Sequence, residues 1–225
     1  MKLKKINEKL QLGLVENGLT EANEVQKETF STLKSGADCV VFAPKGSGKT
    51  TTIVLNVIQK LAGSNEESPR ALIMVEDKAK VLEMEELFEK YGKHTTLEVY
   101  GVHDKGDMDY DKNYVSTGID VLIGTPTKLS DMFSTAGYNV NRLKMFIIDD
   151  ADALLRARHE TKIMRISDSI AKTQRIIFSD LYTERVAILT DKMLIEPYEF
   201  DFEEEEEEDD DFEEEEEGDE ENGNN

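Results

Sequence analysis

The chain has 225 residues, a length that suits one large α/β domain or one domain followed by a tail. Its net charge is −22, but 18 of the 49 acidic residues and none of the 27 basic residues lie in 201–225, which leaves 1–200 at −4. The single Cys39 excludes a framework of internal disulfides. No apolar run is long enough to cross a bilayer, and the N-terminus lacks the apolar stretch of a signal peptide, so we expect a cytoplasmic protein that does not contact membranes.

Two short helices are predicted first, followed by an alternation of strands and helices. The helices are indicated by residues at helical spacing: Ile6, Leu10, Leu14, Val25, Thr29 and Leu33. Short apolar runs predict seven strands, at 39–43, 71–75, 97–102, 119–123, 145–149, 175–179 and 194–200. Helical patterns lie between most of them, at 49–62, 78–91, 127–134, 160–171 and 183–192. This alternation is typical of an α/β fold with a mostly parallel sheet and helices on both faces.

Two segments depart from the alternation. The polar stretch 103–117 has no clear period, so a loop with about one helical turn is expected there. Residues 201–225 are almost entirely acidic and cannot bury enough apolar surface to offset the entropy of ordering. The sequence therefore predicts a folded domain over 1–200 and a disordered acidic tail over 201–225.

The stretch APKGSGKT at 43–50 has the composition of a phosphate-binding loop. Such a loop needs small residues that turn backbone N–H groups toward an anion, a lysine for the terminal phosphates and a hydroxyl for Mg²⁺. The chain supplies these with Gly46, Ser47, Gly48, Lys49 and Thr50. The predicted strand before the loop and the predicted helix after it are the context that the motif requires. The alternative is a glycine-rich turn that carries a lysine by chance.

A second motif, the acidic stretch IIDDAD, occupies 147–152. Its predicted strand would deliver carboxylates to the carboxyl edge of the sheet, where open parallel sheets bind ligands. Asp149 would hold Mg²⁺, and Asp150 would polarise the attacking water. The alternative is an acidic cap at the end of a strand.

With these motifs the chain resembles the N-terminal RecA-like domain of DEAD-box RNA helicases across about residues 1–200. The landmarks occur in the family's order: GLTEANEVQ (18–26) is similar to the Q motif, APKGSGKT to motif I, VEDKAK (75–80) stands at motif Ia, TPTKL (125–129) is similar to motif Ib, DDAD (149–152) stands for DEAD and SDL (179–181) for SAT. The resemblance implies a single RecA-like P-loop domain.

The resemblance also implies roles for individual residues, with ATP and Mg²⁺ as cofactors. Gln26 would read the adenine edge, Thr50 and Asp149 would hold the metal, and Lys49, Asp149 and Asp150 would serve catalysis. The remaining nucleotide contacts would come from Ala43, Gly46, Ser47, Gly48, Lys49, Thr50 and Thr51. RNA would be contacted by Lys78, Gly101, Thr125, Pro126 and Lys128, and coupling to another domain would involve Asp152 and Ser179.

Several departures from the family pattern limit the expected activity. Asp150 is one methylene shorter than the family's Glu, and Leu181 lacks the hydroxyl of the family's Thr. Lys78 and Lys128 stand where the family usually has arginine, which binds phosphate in a bidentate way. No candidate for a second RecA-like domain follows residue 200. Because arginines supplied by that domain complete the family's ATP site, hydrolysis is expected to be weak or dependent on a partner, without unwinding by the chain alone.

Two other functions remain open at this point. One is a non-catalytic, degenerate helicase lobe that serves as an adaptor or regulatory module, with the acidic tail recruiting basic proteins. The other is a small-molecule kinase, which shares the phosphate loop but explains neither the Q motif nor TPTKL. The leading prediction is an ATP-binding domain that associates weakly with RNA and that receives any second RecA-like domain in trans.

Overall fold

A computed structural model describes residues 6–65 and 67–202, and the predicted acidic tail lies outside these ranges except for its first two residues. Seven strands form one sheet: β1 (Cys39–Phe42), β2 (Ala71–Met74), β3 (Val99–Val102), β4 (Val121–Gly124), β5 (Met145–Ile148), β6 (Gln174–Ser179) and β7 (Tyr198–Asp201). The strand order is β3-β4-β2-β5-β6-β1-β7, and all six pairings are parallel. The predicted α/β class and parallel sheet are confirmed.

The described residues also form nine helices. They are α1 (Glu8–Glu16), α2 (Glu24–Ser35), α3 (Lys49–Leu61), α4 (Lys78–Gly92), α5 (Met108–Ser116), α6 (Pro126–Ser134), α7 (Ala151–Arg156), α8 (Glu160–Ser167) and α9 (Glu184–Met193). None of the helices in the described ranges is both long and apolar enough to cross a membrane.

The sheet separates two hydrophobic cores. Neighbouring residues of β1 face opposite ways: Val40 and Phe42 pack with α5–α9, whereas Cys39 and Val41 pack with α1–α4. This arrangement buries both faces of the central strands, which explains why they are continuous apolar runs. Cys39 is fully buried, and burial raises the pKa of its thiol to about 12, as expected for a packed residue.

The structure differs from the predicted elements in four places. The segment 103–117 is not a loop with one turn, because it contains the two-and-a-half-turn helix α5, whose first turn is capped by the Asp107 carboxylate. The helix α7 was not predicted, and α8 ends at Ser167 although the pattern extends to 171. The last strand, predicted at 194–200, is confined to Tyr198–Asp201, so regular structure continues one residue into the segment assigned to the tail.

Candidate functional site

Three loops meet at the carboxyl edge of the sheet, because β5, β6 and β1 are neighbours and run in the same direction. Between them lies a cleft of about 420 Å³, within the range of small-molecule sites. Five residues predicted to bind nucleotide line it: Gly46, Gly48, Lys49, Thr50 and Thr51. Asp149 and Asp150 also line it. The structure therefore brings the two predicted motifs into one site.

The loop after β1 leaves the first turn of α3 open to an anion. Gly48 precedes the helix with φ +91°, a left-handed conformation that favours glycine, and no side chain caps the helix. A Cβ on Gly48 would also lie 2.5 Å from Asn23 Nδ2, which donates to the Ser47 carbonyl at 2.7 Å. Backbone N–H groups at an uncapped helix start are a ready site for phosphate.

Thr50 and Asp149 together offer oxygen ligands for a divalent cation. Thr50 Oγ1 donates to Asp149 Oδ2 at 3.3 Å, and Lys80 Nζ donates to the same hydroxyl at 3.5 Å. Burial raises the pKa of Asp149 to about 6, although the charge of Lys80 opposes the shift. Within the described ranges, no three His, Cys, Asp or Glu side chains are placed to hold a metal by themselves. These hard oxygen donors fit Mg²⁺, which Thr50 and Asp149 would hold.

Asp150 is held in an unusual backbone conformation. Its φ is +59° and its ψ is +61°, which is uncommon for a non-glycine residue and costs free energy. Its Oδ1 atom is buried and has no hydrogen-bond partner among the described residues. Burial, followed by the charge of the neighbouring Asp180, raises the pKa of this carboxyl. A strained carboxylate with an unpaired oxygen beside the cleft can accept a hydrogen bond from a water molecule there.

Gln26 lies behind the phosphate loop in a reciprocal cap of α2. Its backbone N–H donates to Asn23 Oδ1 at 2.9 Å, and its Oε1 accepts from the Asn23 backbone N–H at 3.2 Å. Its Nε2 lies 3.7 Å from the position that a Cβ on Gly48 would take. Asn23 thus fixes the Gln26 carboxamide next to the loop, and the second lone pair of Oε1 and the Nε2 donors remain the groups suited to a base edge.

Asp180, the middle residue of SDL, which has no role in the resemblance, pairs with the phosphate-loop lysine. Its Oδ1 lies 2.7 Å from Lys49 Nζ, and its Oδ2 lies 3.6 Å from Lys45 Nζ. Lys49 also donates to the carbonyls of Ala43 and Pro44, the latter at 2.8 Å. Lys49 and Asp180 are buried, whereas the Lys45 side chain is 82% exposed. The pairing of β6 with β1 brings these residues together, so the SDL motif marks the position of Asp180 but not its contact with Lys49.

The residues predicted to face RNA lie along the other half of the same edge, after β2 and β4. Lys78 is exposed and lines an open groove of about 470 Å³ together with Lys105. Three acidic residues share the groove: Glu76, Asp77 and Asp104. Thr125 precedes α6 and donates to Asp104 Oδ1 at 3.1 Å, and Pro126 begins that helix. The groove carries opposing charges and offers few cations to a phosphate backbone.

Two other predicted RNA contacts have structural partners. The Lys128 side chain is 4% exposed, and its ammonium lies 2.7 Å from Asp111 Oδ2 and donates to the Gly106 carbonyl. Gly101 lies within β3, where its N–H donates to Glu85 Oε1 at 2.6 Å and an added Cβ would lie 2.6 Å from Glu85 Cδ. An RNA contact by the Lys128 ammonium would require this buried ion pair to open.

The two residues assigned to coupling each have a local partner. Asp152 is buried in α7 and lies 2.9 Å from Arg156 Nη1. Ser179 ends β6 and donates its hydroxyl to the Leu181 carbonyl at 2.9 Å. Leu181 itself is half-exposed. Their part in coupling stays a prediction.

Comparison with known proteins places these motifs in one family. Residues 23–181 match the family model described as DEAD/DEAH box helicase. The chain is 25% identical over 194 residues to an ATP-dependent RNA helicase eIF4A of Eremothecium gossypii, covering 86% of this chain and 49% of that protein. It is 30% identical over 179 residues to an ATP-dependent RNA helicase DBP4 of Kluyveromyces lactis, covering 77% of this chain and 23% of that protein. The chain thus spans about half the length of the eIF4A relatives that it matches.

Proposed function

The chain belongs to the DEAD/DEAH box helicase family, and we propose that it is an ATP-binding, RNA-associating domain with weak or partner-dependent ATPase activity. The strongest support is that the uncapped first turn of α3 lies in one cleft with Lys49, Thr50 and Asp149. These groups match the needs of a triphosphate with its magnesium ion. Bound Mg²⁺ would neutralise charge on the phosphates.

The residues of the chain have separate tasks in this proposal. Thr50 and Asp149 hold the metal, Lys49 neutralises the terminal phosphates, and Gln26 contacts the base. Asp150 orients the attacking water and accepts its proton. Its shorter side chain places the carboxylate about 1 Å further from the phosphates than a glutamate would, and displacement on that scale can cost on the order of a hundredfold in rate.

RNA association is proposed to be weak. The groove beside Lys78 and Lys105 also contains three acidic residues, so attraction to phosphate is largely offset. Few phosphate contacts also mean that binding falls only gently with added salt compared with strongly basic proteins. A cytoplasmic location, a second RecA-like domain in trans and recruitment of basic proteins by the acidic tail belong to the same proposal.

A second candidate function is a degenerate lobe that acts as an adaptor without catalysis. It is favoured by one observation, the ion pair that holds Lys49 on Asp180 in place of a phosphate. An adaptor of this kind would have no need for metal-dependent nucleotide binding. Nucleotide binding therefore separates the two candidates.

An ATP titration combined with an ATPase assay tests the proposal. The chain is expected to bind ATP in the presence of Mg²⁺ and to hydrolyse it more slowly than about 1 s⁻¹, the low end for enzymes, with little stimulation by RNA. Asp149→Asn is expected to abolish the residual turnover. Turnover of about 1 s⁻¹ or more that Asp149→Asn silences would contradict the weak activity. Absence of ATP binding would contradict the proposal as a whole and favour the adaptor.

A further inference from the structure

The carboxylate of Asp180 lies in the part of the cleft where the lysine of a phosphate loop meets its anion. Asp180 follows β6 directly, and the pairing of β6 with β1 places it over the loop. Its two oxygens face two loop lysines, with Oδ1 at 2.7 Å from Lys49 Nζ and Oδ2 at 3.6 Å from Lys45 Nζ. The residue is 9% exposed.

The ammonium of Lys49 has no donor left for a ligand in this arrangement. An ammonium has three N–H donors, and Lys49 directs them at Asp180 Oδ1, the Ala43 carbonyl and the Pro44 carbonyl. A phosphate oxygen that binds Lys49 must therefore displace one of these acceptors. Asp180 is the acceptor that carries the same charge as the phosphate, so it is the one that the phosphate repels.

We propose that Asp180 occupies the phosphate subsite in the nucleotide-free protein and competes with nucleotide phosphates for Lys49, so that it sets the affinity of the site. This inference rests on the proposed nucleotide binding. Lys45 provides the exchange partner: its side chain is exposed to solvent, already lies within 4 Å of Asp180 Oδ2, and can neutralise the aspartate when Lys49 turns to the phosphate.

The charges around the cleft add to the competition. Three lysines line it, Lys45, Lys49 and Lys80, against five acidic residues, Glu76, Glu83, Asp149, Asp150 and Asp180. A polyphosphate adds further negative charge to a site that is already acidic. Removing the charge of Asp180 both frees Lys49 and lowers this repulsion.

The effect of Asp180 on affinity should depend on whether the phosphates of the nucleotide extend as far as Lys49. The lysine of a phosphate loop contacts the terminal phosphates of a nucleotide, so ATP and ADP compete with Asp180. AMP does not reach Lys49 and should be insensitive to Asp180. This dependence separates competition for Lys49 from a general change in the fold.

Isothermal titration of ATP, ADP and AMP with Mg²⁺ against the full chain tests the inference. Asp180→Asn keeps the shape and removes the charge, and Asp180→Ala removes the acceptor as well. Both variants are expected to bind ATP and ADP about tenfold more tightly or better, the worth of one charged hydrogen bond, with AMP unchanged. Asp168→Asn is the matched control, because Asp168 is exposed at the end of α8 and should change none of the affinities.

The outcomes distinguish this inference from the proposed function. If the unmutated chain binds ATP through Lys49 and both Asp180 variants, shown by thermal unfolding to be folded, bind it equally well or more weakly, Asp180 is a structural partner of the lysine and the competition is refuted. If neither the unmutated chain nor the variants bind ATP, the proposed function fails and the inference fails with it. Binding by the variants alone would support both.

Discussion

Asp149 is a buried carboxylate whose charge the surrounding protein stabilises poorly. Asp120 is equally buried, but Arg70 pairs with it at 2.5 Å and the Asn65 and Glu98 N–H groups donate to it. Asp149 accepts from Thr50 at 3.3 Å and has no cation within ion-pair distance among the described residues. Burial therefore dominates, and the pKa of Asp149 rises to about 6. A metal ion would relieve this cost, so the residue is suited to binding a cation more than to stabilising the fold.

Asp149→Asn is accordingly expected to stabilise the metal-free domain at neutral pH. The folded pKa, about 6, lies above the ordinary value of 3.8, so the folded state binds the proton more tightly and loses stability as pH rises from about 4 to 6. Above that range the full cost applies, about 2–3 kcal/mol. Urea unfolding in chelator should show the Asp149→Asn variant gaining this amount near pH 8 and almost nothing near pH 4. An equal difference at both pH values, or none for Asp149→Asn relative to the control Asp168→Asn, would contradict the account.

At the scale of elements, α5 and α6 are joined by a buried ion pair. Lys128 on α6 pairs with Asp111 on α5, and the Tyr100 hydroxyl of β3 donates to the same carboxylate at 2.7 Å. Tyr114 of α5 stacks on the Tyr100 ring at 4.2 Å between centroids. These contacts tie α5 to the sheet edge although only Asp111 and Val115 of that helix are buried.

Lys128→Met is expected to destabilise the domain, since it leaves Asp111 buried without a cation. The cost should be about 3–5 kcal/mol in urea unfolding, and Lys128→Met with Asp111→Leu should recover most of it. Lys78→Ala, at an exposed position, should change stability by less than about 0.5 kcal/mol while weakening RNA binding. If Lys128→Met weakened RNA binding without loss of stability, its ammonium would be a surface contact and the ion pair would have little energetic weight.

The same helix shows why part of the fold could not be predicted. The strands β1, β2, β4 and β5 could be predicted because each is a short apolar run that the sheet buries completely, on both faces. The helix α5 has no apolar period, since one of its two buried residues is Asp111, and the helix is stabilised by contacts with distant elements. Its acidic cap, Asp107, was the available local signal.

The candidate site likewise has residues that the sequence predicts and residues that it does not. Within the phosphate loop, and likewise within the acidic motif, the functional residues are neighbours in sequence. Residue types and spacing therefore predict the chemistry of each motif. Asn23 had a readable signal, because an Asn three residues before Gln is a capping pair. Lys80 and Asp180 lie in the VEDKAK and SDL landmarks, but they reach the cleft from α4 and from the end of β6 through the strand order, which residue spacing does not reveal.

At the scale of the whole molecule, the last described residues lie at the same edge of the sheet as the candidate site. The strand β7 pairs with β1, and the Phe202 N–H donates to the Phe42 carbonyl at 2.9 Å. The chain therefore passes residue 202 at the carboxyl edge, next to the phosphate loop that follows Phe42. The acidic run of residues 203–221 begins at this edge. The disorder predicted for this run lies outside the described residues, and from it we expect an effective concentration near the site of about a millimolar, as for a short linker.

Removing the acidic tail is expected to strengthen RNA binding. The tail carries the same charge as RNA, so it repels RNA or occupies the cations around Lys78, and screening weakens both effects. Truncation after Phe202, which leaves β7 intact, should tighten binding of a short single-stranded RNA roughly tenfold at low salt and little at high salt. A chain with glutamine and asparagine in place of the tail's acids serves as the length control and should behave like the truncation. Identical affinities for all three chains at every salt concentration would leave the tail without this role.

The main proposal is that adenine nucleotides bind with their phosphates on Lys49 in the cleft and their base on Gln26, behind the phosphate loop. Its most direct test is a titration of the full chain with ATP and GTP in the presence of Mg²⁺, repeated with Gln26→Ala and Lys49→Ala. ATP is expected to bind roughly tenfold more tightly than GTP, because GTP loses one hydrogen bond to the base. Gln26→Ala should remove this preference, and Lys49→Ala should remove binding. Equal affinities of the unmutated chain for ATP and GTP would contradict the role of Gln26, and ATP binding that survives Lys49→Ala would contradict the assignment of the cleft.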